Sequence, residues 1–240
     1  MILSVIIVSY NTVELLRNCL RSIKNASGII EYEVIVVDNN STDGSVQMVN
    51  NEFPEVIIIV NPRNVGFGVA NNQGVHIARG DFILLLNSDT IVYPGAFQSM
   101  VDYLKNHPDV KIVGPCLLNP DMSVQMQCKR GFPRFLNSLG HFSGLAYLFP
   151  TLRPLNGYLS PLPNDVTHEV DAVSGACLMI TRNVIDQAGG LFDEQYFMHF
   201  EDIDLCFRIK KLGYKIYYIH SAKVVHLKGQ SSRIKSQEVV

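Results

Sequence analysis

The side chains with the most chemistry to offer come in a few polar clusters. They are Ser9-Tyr10-Asn11, Asp38-Asn39-Asn40-Ser41-Thr42-Asp43, Asn64-Val65-Gly66-Phe67-Gly68, Asn87-Ser88-Asp89 and Glu201-Asp202-Ile203-Asp204. Asp89 follows the apolar run Leu84-Leu85-Leu86 almost directly. A carboxylate presented at a strand end is a good oxygen ligand for Mg²⁺ or Mn²⁺, above all when diphosphate oxygens complete the shell. The competing explanation is a helix cap for the segment entering Pro94. Glu201, Asp202 and Asp204 crowd the start of a helical stretch, where acids offset the helix dipole by roughly 0.3–1 kcal/mol each. Three acids in four residues exceed what capping requires, and they follow Tyr196-Phe197-Met198-His199-Phe200. An acid held against such an aromatic wall loses solvation, which raises its pKa toward the range of a general base.

These clusters need elements to hold them. Leu3–Val8, Val34–Val37, Val56–Val60 and Phe82–Leu86 are continuous apolar runs, suited to strands buried on both faces. Helical spacing falls between them, with Val13, Leu16, Leu20 and Ile23 on one face, then residues 45–51 and 69–78. The alternation predicts an α/β fold with a mostly parallel sheet covered by helices on both faces. Four of the clusters then lie where buried strands stop, the edge at which open α/β sheets bind ligands. Any one of them, Asp38 to Gly44 for example, is explained by turn and N-cap chemistry. Four in succession at one edge point to a shared site.

Beyond Asp89, Pro94–His107 reads as an amphipathic helix, and Pro115–Pro163 as an irregular insertion that holds seven of the eleven prolines. Substrate contacts and a purely structural loop are both open for that insertion. A strand at Ala176–Ile180, a short helix ending at Gly189-Gly190, a helix over Glu201–Leu212 stopped by Gly213, and strands at Lys215–Ile219 and Lys223–His226 complete the expectation.

The 240 residues are 47% hydrophobic and 18% charged with a net charge of −2, ordinary for a globular protein with a large core. That balance offers no electrostatic reason to expect a nucleic-acid partner. Five scattered cysteines without C-x-x-C spacing suggest reduced thiols and a cytoplasmic setting. The apolar residues 1–10 lack a signal peptide's basic flank, and no run reaches the roughly 18 residues of a membrane span. Peripheral contact with the inner face of a membrane stays open. Gly66-Phe67-Gly68-Val69-Ala70-Asn71 nearly matches a dinucleotide G-x-G-x-x-G, but its third glycine is Asn71 and the first β-α turn holds Ser9-Tyr10-Asn11. No phosphate-loop motif is present either.

As an ordered set running from Leu3 to Ser232, these motifs resemble the family 2 glycosyltransferases of GT-A fold, and within them the rhamnosyltransferase-like branch. The resemblance implies one GT-A domain over residues 1–240, with a nucleotide-sugar-binding half (1–110) and an acceptor-binding, catalytic half (111–240). It implies inverting transfer from a UDP- or dTDP-sugar, with dTDP-rhamnose favoured, to a saccharide or lipid-linked saccharide in bacterial cell-surface polysaccharide synthesis. Ser9, Tyr10, Asn11, Asp38, Asn40, Asn64, Gly66, Asn87 and Ser88 match the donor site. Tyr10 and Asp38 fall on the positions that hold base and ribose. Asp89 matches the metal-binding aspartate of the D-x-D motif, whose first aspartate is Asn87 here, at the loss of one negative charge. Asp202 matches the catalytic base and Glu201 its acidic neighbour. His226 matches a late histidine that reaches the Mg²⁺ or Mn²⁺ ion or the diphosphate, although a lone histidine after a strand is commonly structural. Members of the family often continue with further helices, so a shortened chain is also expected. Two rivals stay open: a nucleotidyltransferase, which normally carries a glycine-rich basic loop where Ser9-Tyr10-Asn11-Thr12 stands, and a non-catalytic nucleotide-sugar-binding module.

Overall fold

The computed structural model describes residues 2–26, 28, 30–132, 143 and 162–227. Strands β1 (Leu3–Ser9), β2 (Tyr32–Asp38), β3 (Ile57–Val60) and β4 (Phe82–Asn87) form a parallel half-sheet in the spatial order β3-β2-β1-β4. Leu3, Ile6, Ile7, Ile35, Ile83, Leu84 and Leu85 are wholly buried, because both faces of β1, β2 and β4 are covered. β3 departs from the expected burial on both faces: at the edge of the sheet, Ile57, Ile58 and Ile59 are half-buried and Val60 is 54% exposed. The covering helices are α1 (Val13–Ala26), α2 (Ser45–Glu52) and α3 (Phe67–Ile77).

Chain order decides where the site opens. The steps β1 to β2 and β2 to β3 go one way across the sheet, and β3 to β4 steps back past β1. Parallel crossovers are right-handed, so the reversal sets α3 on the face opposite α1 and α2. It also leaves a crevice at the carboxyl ends of β1 and β4. Gly74 of α3 lets that helix approach β1 closely, since a Cβ there would lie 2.5 Å from Ile6 Cγ2.

The second half extends the same sheet. It contains β5 (Thr90–Val92), α4 (Ala96–Asn106), β6 (Val110–Leu118), β7 (Lys129–Arg130), β8 (His168–Glu169), β9 (Ala172–Val173), β10 (Cys177–Thr181), α5 (Arg182–Ile185), α6 (Glu201–Lys211) and β11 (Lys215–His226). β10 inserts antiparallel between β4 and β6, β11 runs parallel to β6, and β5 and β8 pair antiparallel with β11. Strands β1, β2, β3, β4, β6 and β11 therefore point one way, which makes the nine-stranded sheet mixed and largely parallel. β7 and β9 form a separate antiparallel ribbon.

Three further elements depart from the sequence expectation. β6 runs through Gly114-Pro115, where an irregular insertion is expected to begin; its pairing with β10 covers Ile112 and Val113 only, so Pro115 lies beyond the stretch where a missing N–H would break that ladder. The two late strands are one, β11, with a register shift between Ile219 and Lys223 that absorbs His220-Ser221-Ala222 as a bulge. β5 is three residues long and gains its place by pairing with β11. Of the expected insertion, residues 133–142 and 144–161 lie outside the described residues. All five cysteines are buried free thiols. Among the described residues no helix is long and apolar enough to cross a membrane.

Candidate active site

A cleft of about 620 Å³ opens at the carboxyl ends of β1 and β4. Tyr10, Asn64, Asn87, Ser88, Asp89, Glu201, Asp202 and His226 line it. Ser9, Asn11, Asp38, Asn40 and Gly66 are not part of that lining, and most of them brace it from behind. Ser9 is buried and shares a hydrogen bond with Thr12 Oγ1 (3.1 Å), which donates to Ser88 Oγ (3.1 Å). This hydroxyl chain ties the end of β1 to the end of β4. The Asn11 N–H donates to Ser41 Oγ (2.9 Å), and Asn11 Oδ1 accepts the Thr42 N–H (2.8 Å), which ties the β1 and β2 loops together.

The β2 loop divides its polar residues between support and binding. Asp43 caps two helices at once: Oδ2 accepts the Val13 N–H of α1 (2.8 Å) and Oδ1 accepts the Ser45 N–H of α2 (3.1 Å). Asp38 Oδ1 accepts the Ser41 N–H (2.8 Å), while Oδ2 is buried with no hydrogen-bond partner among the described residues. A buried acceptor in that state has unused hydrogen-bonding capacity. Asn39 lines the cleft, with its amide donating to the Gly66 carbonyl (3.2 Å) and accepting from Asn61 (2.9 Å). Its neighbour Asn40 is solvent-exposed with φ 70°.

Opposite, Asn64 Oδ1 accepts the Gly66 N–H (3.0 Å) at the start of α3. Gly66 has φ 90°, and a Cβ there would come within 2.8 Å of the Phe197 ring and carbonyl. Glycine thus lets the aromatic segment lie against α3, where the Phe67 N–H donates to the Phe197 carbonyl (3.0 Å). Met198, His199 and Phe200 continue that segment into the cleft wall. His199 and Phe200 both hold left-handed backbone (φ 73° and 71°), an unfavourable conformation for such residues that clusters at functional sites.

Asp89 and His226 meet across the β4 and β11 ends. Asp89 is 3% exposed, and its Oδ1 lies 3.3 Å from His226 Nε2 without hydrogen-bond geometry. Gln125 Nε2 donates to the His226 carbonyl (2.7 Å), and Gln125 Oε1 lies 3.1 Å from His226 Nδ1. A carbonyl oxygen only accepts, so the ring proton sits on Nδ1. In the neutral imidazole, Nε2 then turns its lone pair toward Asp89 and toward Asn87 Nδ2 (3.5 Å). This is the tautomer and the outer support that a metal-binding histidine needs. A carboxylate oxygen with no hydrogen-bond partner among the described residues, beside an imidazole lone pair, fits Mg²⁺ or Mn²⁺. Among the described residues no three acidic, histidine or cysteine side chains converge on a metal position, so a cation here would draw the rest of its shell from a bound ligand and water.

The acids of α6 fall into two groups. Asp204 turns away to Arg208 (2.7 Å), whose guanidinium also binds the Ala188, Gly190 and Leu191 carbonyls. Glu201 and Asp202 are buried in the cleft wall. Asp202 Oδ2 accepts the Gly175 N–H (2.8 Å) and an Arg130 Nη2 hydrogen (2.5 Å). Glu201 Oε2 has no hydrogen-bond partner among the described residues. Burial pushes its carboxyl up to about 7; the Asp202 charge adds to that rise, and its own backbone N–H and Arg130 oppose it.

Among the site residues that sequence reasoning did not single out are Asn39, Gln125, Arg130 and Gly175. Asn39 stands inside a recognised cluster, and only its buried orientation separates it from Asn40. Gln125 and Arg130 come from the proline-rich stretch after β6, which has no periodicity to place them.

Residues 4–185 match the family model described as glycosyl transferase family 2. The chain is 29% identical, over 96% of its length, to the N-acetylglucosaminyl-diphospho-decaprenol L-rhamnosyltransferase of Mycobacterium tuberculosis strain H37Rv, of which it covers 78%. It is 25% identical, over 93% of its length, to the low-salt glycan biosynthesis hexosyltransferase Agl10 of Haloferax volcanii, of which it covers 66%. The crystal structure of GalNAc-T7 with UDP, GalNAc and Mn²⁺ superposes with a TM-score of 0.68 over 94% of this chain, which spans 44% of that one. At 15% identity, that is a likeness of fold alone, the GT-A arrangement.

Proposed function

Because this chain belongs to glycosyl transferase family 2, we propose that it moves a sugar from a UDP- or dTDP-sugar to an acceptor hydroxyl, with inversion at the anomeric carbon. The observation that carries the proposal is that one cleft brings Tyr10 and Asn64, the Asp89–His226 pair and the Glu201–Asp202 pair together. Residues 1–110 supply the donor side, with Asp38 and Tyr10 for base and ribose, and residues 111–240 supply the acceptor and catalytic side. Asp202 takes the proton of the acceptor hydroxyl as that oxygen bonds to the anomeric carbon; the carbon–oxygen bond to the diphosphate breaks, and its electron pair leaves with the nucleoside diphosphate. Asp89 and His226 would hold Mg²⁺ or Mn²⁺, which when bound supplies Lewis-acid charge to the departing diphosphate.

The rhamnosyl transfer in the name of the mycobacterial relative supports dTDP-rhamnose as donor and a lipid-linked saccharide as acceptor. The setting would be bacterial cell-surface polysaccharide synthesis at the cytoplasmic face of the membrane. Nucleoside diphosphate release, measured with a panel of UDP- and dTDP-sugars and lipid-linked acceptors, tests this. Asp202→Asn should lower turnover about 10²–10⁴-fold and leave donor affinity within about threefold. Near-normal turnover in that variant would remove Asp202 as the base.

A further inference from the structure

We propose that Arg130 is the positioning residue for Asp202, fixing which carboxylate oxygen faces the acceptor. The inference rests on the reading of Asp202 as base. Arg130 lines the cleft, and its Nη2 reaches both Asp202 Oδ2 (2.5 Å) and the Val173 carbonyl (3.2 Å). The Gly175 N–H reaches the same Oδ2 (2.8 Å). One carboxylate oxygen is therefore clamped between a guanidinium and a backbone amide, and Oδ1 is the oxygen left to the cleft.

The clamp is built on fixed parts. Arg130 belongs to β7, paired with β9, so the guanidinium, Val173 and Gly175 share one ribbon and the link that follows it. The preceding residue, Lys129, is wholly buried; its ammonium binds the Leu162 and Pro163 carbonyls and sits 5.1 Å from the centre of the Tyr218 ring. Successive strand residues point to opposite faces. Lys129 thus anchors β7 in the interior while Arg130 projects to the cleft. An arginine stays protonated and has no acceptor atom, so it does not compete as a base. Its effect on transfer runs through the orientation of Asp202, and a misplacement of about 1 Å can cost about 10²-fold in rate.

The test is steady-state transfer by the full chain, with Arg130→Ala and the neutral Arg130→Gln measured beside Asp202→Asn. Both Arg130 variants should lose about 10²-fold in kcat and keep donor KM and nucleoside diphosphate affinity within about threefold. Guanidinium chloride at millimolar concentration should restore part of kcat in Arg130→Ala and none in Asp202→Asn. Should Arg130→Ala fold poorly, Arg130→Gln carries the same comparison. Wild-type kcat in Arg130→Gln, a loss confined to donor KM, or a folded Arg130→Ala that guanidinium does not rescue would each overturn the positioning role. An inactive Asp202→Asn beside an active Arg130→Gln sinks this inference alone, whereas an active Asp202→Asn sinks the base assignment beneath it.

Discussion

Replacing Glu201 by glutamine should abolish a pH-dependent loss of stability. In the native chain burial holds the Glu201 carboxyl up to about 7, against an ordinary value of 4.5. Between those values the folded state keeps a proton that the unfolded chain has released, so Glu201 makes stability fall as pH rises across that window. At about 1.4 kcal/mol per pH unit, the loss accumulates to about 3 kcal/mol by the time both states are ionised. Glutamine has nearly the same shape and no charge in either state, so its stability carries no such slope. Urea unfolding followed by circular dichroism, at a pH near the lower value and at one above the upper, measures the difference for both proteins. The constant offset from exchanging the side chain cancels in the comparison. The glutamine variant should gain on the native protein by up to about 3 kcal/mol between the two conditions. An unchanged stability difference would mean that Glu201 ionises as an ordinary glutamate, and the buried, desolvated site would be refuted.

Two more expectations follow from the cleft. Asp89→Ala should remove the dependence of donor binding on Mn²⁺, measured by calorimetry with and without EDTA; equal donor affinity under both conditions in the native protein would mean that the cation is not a binding partner. The unsatisfied Asp38 Oδ2 is suited to accept the imide N–H of uracil or thymine, so uridine or thymidine diphosphate should bind at least about tenfold tighter than the cytidine or guanosine compounds, a difference of about 1.4 kcal/mol. Competition in which guanosine diphosphate displaces donor equally well would refute that role for Asp38.

By itself, the sequence determined the alternation of strands and helices from Leu3 to Leu86, because strand and helix periods are local properties of neighbouring side chains. It also placed Asn87-Ser88-Asp89 and Glu201-Asp202 at element ends, where their chemistry is available. Tertiary structure alone decided which polar residue does what. Asp43 and Asp38 look alike in sequence, yet one caps α1 and α2 and the other keeps a buried oxygen without a hydrogen-bond partner among the described residues. Asp202 and Asp204 stand two apart on one helix, about 200° around its axis, so one enters the cleft and the other pairs with Arg208. β5 exists because it pairs with β11, an interaction between residues more than a hundred positions apart. Arg130 and Gln125 reach Asp202 and His226 across 72 and 101 positions. No local periodicity encodes such contacts, because they form only when the sheet brings the distant strand ends to one edge.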